Sequence, residues 1–171
     1  AAIGTHRLVS VVGAAGIGKT RLAQATAHAL RREFEDGVWM VELAPVADAA
    51  LLPAAVAQAL GVTLPGKRSA QDEVIDALRN RAVLLVLDNC EHLTQACAEL
   101  ARALLEAGPR VKVLASSREH LNLRGETAYP LAPLALPDPA VKVPLDVLLH
   151  GEAVRLFAYR ARAALPSFAV G

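Results

Sequence analysis

Eight consecutive residues near the start of the chain have the composition of a phosphate-binding loop, a glycine, four residues and then Gly-Lys-Thr. They are Gly13, Ala14, Ala15, Gly16, Ile17, Gly18, Lys19 and Thr20. Glycines let the backbone wrap tightly with its amides directed at phosphate oxygens, and a helix that begins near Gly18 adds its dipole. We therefore expect Lys19 to contact the β- and γ-phosphates, Thr20 to bind Mg²⁺ and Arg21 to join the nucleotide contacts.

A second candidate is the carboxylate of Asp88, which ends the apolar run Leu84–Leu87. An acid at the end of a buried strand is costly unless something compensates its charge. In a phosphate-loop protein hydrated Mg²⁺ compensates it, so Asp88 and Thr20 are predicted to be the metal-binding residues. The alternative is that Asp88 caps a helix starting at about Glu91, and the two roles are compatible.

A third candidate is Arg118, which follows an apolar run and the hydroxyls of Ser116 and Ser117. If this strand lies between the phosphate-loop strand and the strand of Asp88, its end points at the γ-phosphate. A guanidinium suits multidentate phosphate contacts, so Arg118 would then detect a triphosphate. A surface arginine after a strand explains the local residues equally well.

The residues after Asp88 predict slow hydrolysis. Asn89 stands where many ATPases have the acid that activates water, and an amide cannot take a proton. Glu91 is the candidate substitute, with an ordinary first-turn helix residue as the alternative. Lys19, Asp88, Glu91 and Arg118 are thus the residues to which we assign the chemistry.

The segments that must position these residues alternate between apolar runs and helical patterns. The predicted strands are 8–12, 38–41, 82–87, 111–115 and a short last one around 129–132. Nearly continuous apolar runs are typical of parallel strands covered on both faces. Helical patterns between them predict an α/β fold with three layers and right-handed crossovers.

The amino-acid composition changes after the last predicted strand. Five prolines between Pro130 and Pro144 disfavour regular structure from about residue 133 to residue 150. A helical pattern resumes at Glu152. We expect a nucleotide-binding domain at 1–136, a proline-rich linker at 137–150 and, at 151–171, the first helix of a helical domain that mostly lies beyond this chain.

Composition excludes several classes of protein. The 171 residues are 54% hydrophobic with a net charge of +1, which predicts a folded core and no direct binding of nucleic acid or membrane. No apolar run approaches the roughly 18 residues of a membrane span. Cys90 and Cys97 lack metal-site spacing, so a reduced, cytoplasmic location is expected.

Several segments together resemble the nucleotide-binding domain of STAND or NB-ARC signalling ATPases, most closely those of large bacterial transcriptional regulators. The likeness covers nearly the whole chain and is carried by residues 7–23, 36–44, 84–92 and 113–119, with 129–134 and 152–157 resembling the junction to that family's helical domain. Asn89 departs from the pattern, because many members of the wider family have a second acid there.

The resemblance implies a five-stranded parallel sheet in the order 5-1-4-3-2, with the Ser116–Ser117 strand central and Arg118 as the γ-phosphate sensor. It implies ATP or ADP as ligand and a switch, in which ADP holds a closed state and ATP permits opening and self-assembly. The other domains of a longer parent chain would be its partners. An adenine-contacting segment is expected upstream of this chain.

A phosphate loop also occurs in proteins with three other functions. A small-molecule kinase needs an arginine-rich lid over the phosphates, and no such loop is present in the sequence. A GTPase needs an Asn-Lys-x-Asp guanine reader, which is absent, and a glycine where Glu91 stands. A scaffold that binds nucleotide without turnover stays open because of Asn89.

Overall fold

The computed structural model describes residues 2–138, 140 and 143–169, in two compact units that divide between Leu131 and Ala132. In the first unit, apolar segments form five strands and the segments between them form helices. In chain order these are α1 (Ala2–Thr5), β1 (Leu8–Val12), α2 (Lys19–Leu30), β2 (Val38–Glu42), α3 (Leu52–Leu60), α4 (Ala70–Leu78), β3 (Leu84–Asp88), α5 (Thr94–Ala107), β4 (Lys112–Ser117) and β5 (Glu126–Pro130). Single 3₁₀ turns at Ala49–Leu51 and Cys90–His92 precede α3 and α5.

The five strands form one parallel sheet in the order β2-β3-β4-β1-β5, which confirms the predicted order. Strand β4 lies between β1 and β3, and Val12 at the end of β1 is level with Ser117 at the end of β4. Parallel strands end at the same edge of a sheet. The phosphate loop after β1, Asp88 at the end of β3 and Arg118 after β4 are therefore brought to one edge.

Side chains of alternate strand residues cover the two faces of the sheet. On one face Leu8, Leu85 and Val113 pack with residues of α3, α4 and α5. On the other face Val9 and Leu114 pack with residues of α1 and α2. Fully burying each such side chain stabilises the fold by roughly 1.5–3 kcal/mol. The three predicted layers are thus present, and the sheet is a rigid base for the residues at its edge.

Local sequence signals explain the start of α4 but not the end of α2. Ser69 caps α4, since its hydroxyl accepts the Asp72 N–H at 3.1 Å. The apolar pattern of α2 extends to Phe34, but the helix ends at Leu30 and the chain leaves it through short turns. Phe34 stays 9% exposed, so it belongs to the core without being helical. Periodicity therefore identified the buried residue and not the helix end.

Two basic side chains fasten the start of the chain to the end of the sheet opposite the phosphate loop. The Lys112 ammonium donates to the carbonyls of Ile3 and Gly4 in α1. The Arg7 guanidinium donates to three carbonyls just before β4, those of Leu105 at 2.7 Å, Gly108 at 2.6 Å and Val111 at 3.2 Å. The last carbonyls of a helix lack partners within it, so Arg7 satisfies groups at the end of α5.

The second unit contains α6 (Leu145–Leu148) and α7 (Glu152–Ala164). The expectation of no regular structure from 133 to 150 is wrong for α6, because its residues follow Pro144 directly and include no proline themselves. Helix α7 begins at the predicted Glu152. Pro139 and residues 141, 142, 170 and 171 lie outside the described residues, and the predicted domain bounds stay predictions.

Helices in the described residues are short. The longest of them, α5, has 14 residues. Throughout residues 2–138, 140 and 143–169, no helix has the length and apolar character needed to cross a membrane.

Candidate functional site

The loop between β1 and α2 leaves the start of α2 open. Gly18, the residue before the helix, has φ of 105° and ψ of 16°, a left-handed conformation that side chains disfavour. No side chain caps this helix, so its first N–H groups lack a side-chain acceptor and suit an anion. At Gly13 an added Cβ would lie 3.0 Å from the Leu131 carbonyl oxygen, so a larger residue would displace the loop.

Lys19 is a buried cation at the start of α2. The residue is 8% exposed, and its Nζ donates to the carbonyl oxygens of Gly13 at 3.0 Å and Ala14 at 3.1 Å. Within the part of the chain that the structure describes, no carboxylate forms an ion pair with it. A buried charge without a counter-charge is costly, and a phosphate group would supply the missing negative charge.

Asp88 is buried at the end of β3 and accepts hydrogen bonds from two hydroxyls. The Thr20 Oγ1 donor lies 3.0 Å from Asp88 Oδ1 and 2.8 Å from Oδ2, and Ser116 Oγ also donates to Oδ1. The Asn89 N–H donates to Ser116 Oγ at 2.9 Å. The predicted capping role is not observed, because Asn89 stands at the start of the 3₁₀ turn and Asp88 is held by hydroxyls.

The donor set around Asp88 suits Mg²⁺. Carboxylate and hydroxyl oxygens are hard ligands, and Mg²⁺ in phosphate sites commonly uses one or two protein ligands beside waters and phosphate oxygens. Thr20 and Asp88 already place such oxygens within hydrogen-bond distance of each other. Among the described residues, His, Cys, Asp and Glu side chains form no cluster of three or more that could hold a metal by themselves. These residues therefore fit a Mg²⁺ that shares its coordination with phosphates.

Glu91 and Arg118 form an ion pair at the same edge of the sheet. Arg118 Nε lies 3.0 Å from Glu91 Oε1, and the side chains are 62% and 18% exposed. The second oxygen, Oε2, is buried and has no hydrogen-bond partner in the described structure. Arg118 is thus paired although its side chain is mostly in solvent, whereas the side chain of its partner, Glu91, is mostly covered.

A cavity of about 390 Å³ lies between these groups. Its lining residues are Ala15, Gly16, Gly18, Lys19, Thr20, Arg21, Asn89, Glu91, Ser116 and Arg118. Asp88 is not among the lining residues, but its carboxylate accepts hydrogen bonds from two of them, Thr20 and Ser116. Gly13 and Ala14 take part through the carbonyls that hold Lys19, and Ile17 packs beside Gly13. The predicted residues are therefore neighbours, while their roles stay predictions.

A family model described as an AAA domain matches residues 3–122, which include the loop, Asp88, Glu91 and Arg118. This chain belongs to the AAA-domain family. The whole chain is 38% identical over 170 residues to proteins of Mycobacterium tuberculosis and Mycobacterium bovis that are named HTH-type transcriptional regulators. It is 32% identical over 160 residues to the regulatory protein AfsR of Streptomyces griseus.

The AAA domain accounts for a small part of these relatives. The match covers 99% of this chain and 18% of each mycobacterial protein, and 86% of this chain and 14% of the Streptomyces protein.

Solved structures share the fold at low sequence identity. A STAND protein of Pyrococcus horikoshii with a tetratricopeptide repeat sensor matches with a TM-score of 0.52 at 16% identity, over 98% of this chain and 24% of that one. Cdc6p of Pyrobaculum aerophilum matches with a TM-score of 0.57 at 15% identity, over 74% and 39% of the two chains. At these identities the likeness shows the P-loop NTPase fold of the AAA domain.

Ser116 is the site residue to which sequence reasoning assigned no role. It is 1% exposed, yet its hydroxyl joins Asp88 on β3 to the Asn89 amide. The available signal was a pair of serines at the end of an otherwise apolar strand. The AAA domain uses the first of them to fix the carboxylate, because a buried acid requires hydrogen-bond donors.

Proposed function

We propose that this AAA domain is an ATP- and ADP-binding switch module of a larger signalling or transcriptional regulator, with slow Mg²⁺-dependent ATP hydrolysis. The proposal rests on two features that lie close together at the same cavity. These are a buried Lys19 ammonium without a carboxylate partner and the Thr20–Asp88 oxygen pair. One suits phosphate and the other suits the cation that accompanies it.

Each group at the cavity has a proposed role. Residues 13–20 and Arg21 contact the phosphates, and Lys19 holds the β- and γ-phosphates. Thr20 and Asp88 hold Mg²⁺, which would neutralise charge on the phosphates and polarise them for attack by water. Arg118 contacts the γ-phosphate, and Glu91 is the candidate acceptor for a proton of the attacking water.

Slow turnover is proposed for a geometric reason. Asn89 lines the cavity beside Asp88 and cannot accept a proton, and Glu91, whose carboxylate lines the cavity, is paired with Arg118. The Oε1 atom of Glu91 accepts the hydrogen bond from Arg118 and is thereby less accessible to an attacking water. The same pair supports a second candidate function, a nucleotide-binding scaffold without significant turnover.

The context of the relatives supports a regulatory role. They are named as regulators, and the AAA domain corresponds to a minor part of their length. We propose that other domains of a longer chain are the partners of this module, and that it assembles with further copies in a nucleotide-dependent manner. The resemblance to STAND and NB-ARC ATPases supports the same role, with a cytoplasmic location and no direct contact with nucleic acid or membrane.

Calorimetric titration with ATP, ADP and GTP, with and without Mg²⁺, tests the nucleotide site. Lys19→Ala is expected to abolish ATP binding, because it removes the charge that faces the phosphates. Lys67→Ala is the matched control, since it removes an exposed lysine outside the cavity. Wild-type ATP affinity in Lys19→Ala would refute the site, and tighter binding of GTP than of ATP would refute the adenine preference.

Measuring phosphate release separates the two candidate functions. A working switch with turnover releases phosphate slowly and in proportion to the domain concentration, and Lys19→Ala removes that release. Tight ATP binding with no release above the Lys19→Ala background would favour the scaffold.

A further inference from the structure

Arg118 has one ion-pair partner in the structure and faces the place where a second negative charge would bind. Its Nε lies 3.0 Å from Glu91 Oε1, and both side chains line the cavity that also contains Lys19 and Thr20. A guanidinium can contact more than one anion, but a planar group has limited directions for its N–H donors. Glu91 and a phosphate in the cavity would therefore compete for the N–H donors of Arg118.

Glu91 lies on a short turn and is more covered than Arg118. It lies in the 3₁₀ turn Cys90–His92, whose end is fixed because His92 Nε2 lies 2.9 Å from the Val46 carbonyl oxygen. The Glu91 side chain is 18% exposed, whereas that of Arg118 is 62% exposed. When the pair separates, Arg118 is thus the side chain that moves.

We propose that Glu91 sets the preference of the site between triphosphate and diphosphate by competing with the terminal phosphate for Arg118. With the cavity empty or holding ADP, Arg118 stays paired with Glu91. A γ-phosphate takes the guanidinium from Glu91 and leaves that carboxylate unpaired. Glu91 is in this sense a positioning residue that acts through Arg118, and the inference rests on the proposed nucleotide site.

The proposed competition predicts how the affinities for ATP and for ADP should change. Breaking the ion pair opposes ATP binding and leaves ADP binding unaffected, because ADP has no γ-phosphate to reach Arg118. Removing the Glu91 charge should therefore strengthen ATP binding. An ion pair with one exposed partner contributes modestly, so we expect an increase in ATP affinity of about 2- to 5-fold.

The experiment is a double-mutant cycle on the Glu91→Gln and Arg118→Ala variants, with calorimetric affinities for Mg²⁺–ADP and for a Mg²⁺-bound, non-hydrolysable ATP analogue. We expect Glu91→Gln to bind the analogue about 2- to 5-fold more tightly and ADP unchanged. Arg118→Ala should weaken the analogue and spare ADP. Adding Glu91→Gln to Arg118→Ala should give no further gain, because the contested guanidinium is absent. Glu91→Ala, which removes the acceptor completely, should behave as Glu91→Gln does.

Glu119→Gln is the matched control for simple loss of negative charge. Glu119 is next to Arg118 and lines a neighbouring cavity of about 410 Å³ with it, but its carboxylate accepts from Thr94 Oγ1. We expect this variant to bind both nucleotides as the wild type does. Equal gains in Glu119→Gln and Glu91→Gln, or a gain from Glu91→Gln that persists without Arg118, would show plain charge repulsion and overturn the competition.

The outcomes also separate this inference from the proposed function. If the wild type binds the analogue and Glu91→Gln leaves its affinity unchanged, the competition is wrong and the nucleotide site stands. If the wild type binds neither nucleotide, the site itself is wrong and the competition fails with it.

Discussion

The Thr20 hydroxyl lies 2.8 Å from Asp88 Oδ2, although 68 positions separate the two residues. One residue opens α2 and the other ends β3, so their contact depends on the sheet order that places β4 between β1 and β3. The hydroxyl now donates its hydrogen to the carboxylate. A Mg²⁺ would take a lone pair of the hydroxyl oxygen, and the same hydroxyl could still donate its hydrogen to the carboxylate.

Asp88→Asn tests whether the negative charge of this carboxylate, and not only its shape, is needed for Mg²⁺-dependent ATP binding. The amide keeps the size of the side chain and can still accept from Thr20 and Ser116, but it removes the negative charge that attracts Mg²⁺. We expect the Mg²⁺-dependent gain in ATP affinity to fall about 10-fold or more, with little change in Mg²⁺-free binding. Calorimetric titrations at matched ionic strength with and without Mg²⁺ measure both.

Glu42→Gln is the control for this change. Glu42 ends β2 level with Asp88 at the end of β3, but it is exposed and does not line the cavity. It should leave the Mg²⁺ dependence intact. Equal losses of Mg²⁺-dependent and Mg²⁺-free affinity in Asp88→Asn would mean that Asp88 organises the loop and does not hold the metal.

Asn89→Asp should accelerate hydrolysis. We expect turnover of the wild type below about 1 per second, under the common enzyme range. Asn89 has φ of 67°, a left-handed conformation that aspartate tolerates about as well as asparagine, so the backbone need not change. A positioned base contributes about 10²–10⁴-fold, so even an imperfectly placed carboxylate should raise kcat by about 10-fold.

Asn89→Gly controls for the backbone, because glycine accepts the same φ and supplies no base. Steady-state phosphate release should rise in Asn89→Asp and not in Asn89→Gly. Fast turnover of the unmodified domain would instead identify another base, with Glu91 the first to test by Glu91→Gln.

Sequence patterns were sufficient for the elements of this fold but not for their pairing. Leu8–Val12 is apolar except for Ser10 and forms β1 with those bounds, since a strand buried on both faces needs mostly apolar side chains. Nothing in that run specifies that it pairs with β4 and β5, more than 100 residues later. The correct order came from the resemblance to a family of known topology.

The sequence likewise predicts some parts of the candidate site and not others. The loop at 13–20 was predictable because its residues are adjacent and each contributes through the backbone or one side chain. The contacts of Ser116 with Asp88 and of Arg118 with Glu91 join residues 28 and 27 positions apart. They depend on side-chain orientations at the ends of neighbouring elements, which local periodicity does not determine. Sequence could therefore name Glu91 and Arg118 but not their pairing.

Arg7→Lys should destabilise the fold without weakening the nucleotide site. The planar guanidinium reaches the carbonyls of Leu105, Gly108 and Val111 together, and an ammonium cannot reproduce that fork of donors. Hydrogen bonds from charged groups contribute about 1.5–3 kcal/mol, and partial exposure of Arg7 lowers the expected loss to about 1–2 kcal/mol. In a domain of this size the Tm should fall by roughly 2–8 °C.

Arg102→Lys is the comparison, because Arg102 is 58% exposed and forms an ion pair with Glu106 at 3.4 Å. Its Tm should change by less than about 2 °C. Nucleotide affinity should be unchanged in both variants, since Arg7 lies at the opposite end of β1 from the phosphate loop. Similar melting temperatures for Arg7→Lys and the wild type would show that solvent replaces the guanidinium without loss.

Cys90 should make the stability of the domain depend on alkaline pH. The neighbouring Cys97 thiol and burial both raise the pKa of Cys90, so it stays protonated in the folded state. In the unfolded chain it ionises near pH 8.5. Its contribution to stability is therefore complete below pH 8.5 and is lost as the pH rises above that value. Between pH 7.5 and 9.5 the loss is on the order of 1 kcal/mol. Urea unfolding at the two pH values should show this drop in the wild type and a smaller one in Cys90→Ala. Parallel drops in the two proteins would mean that Cys90 ionises as readily in the folded state as in the unfolded one.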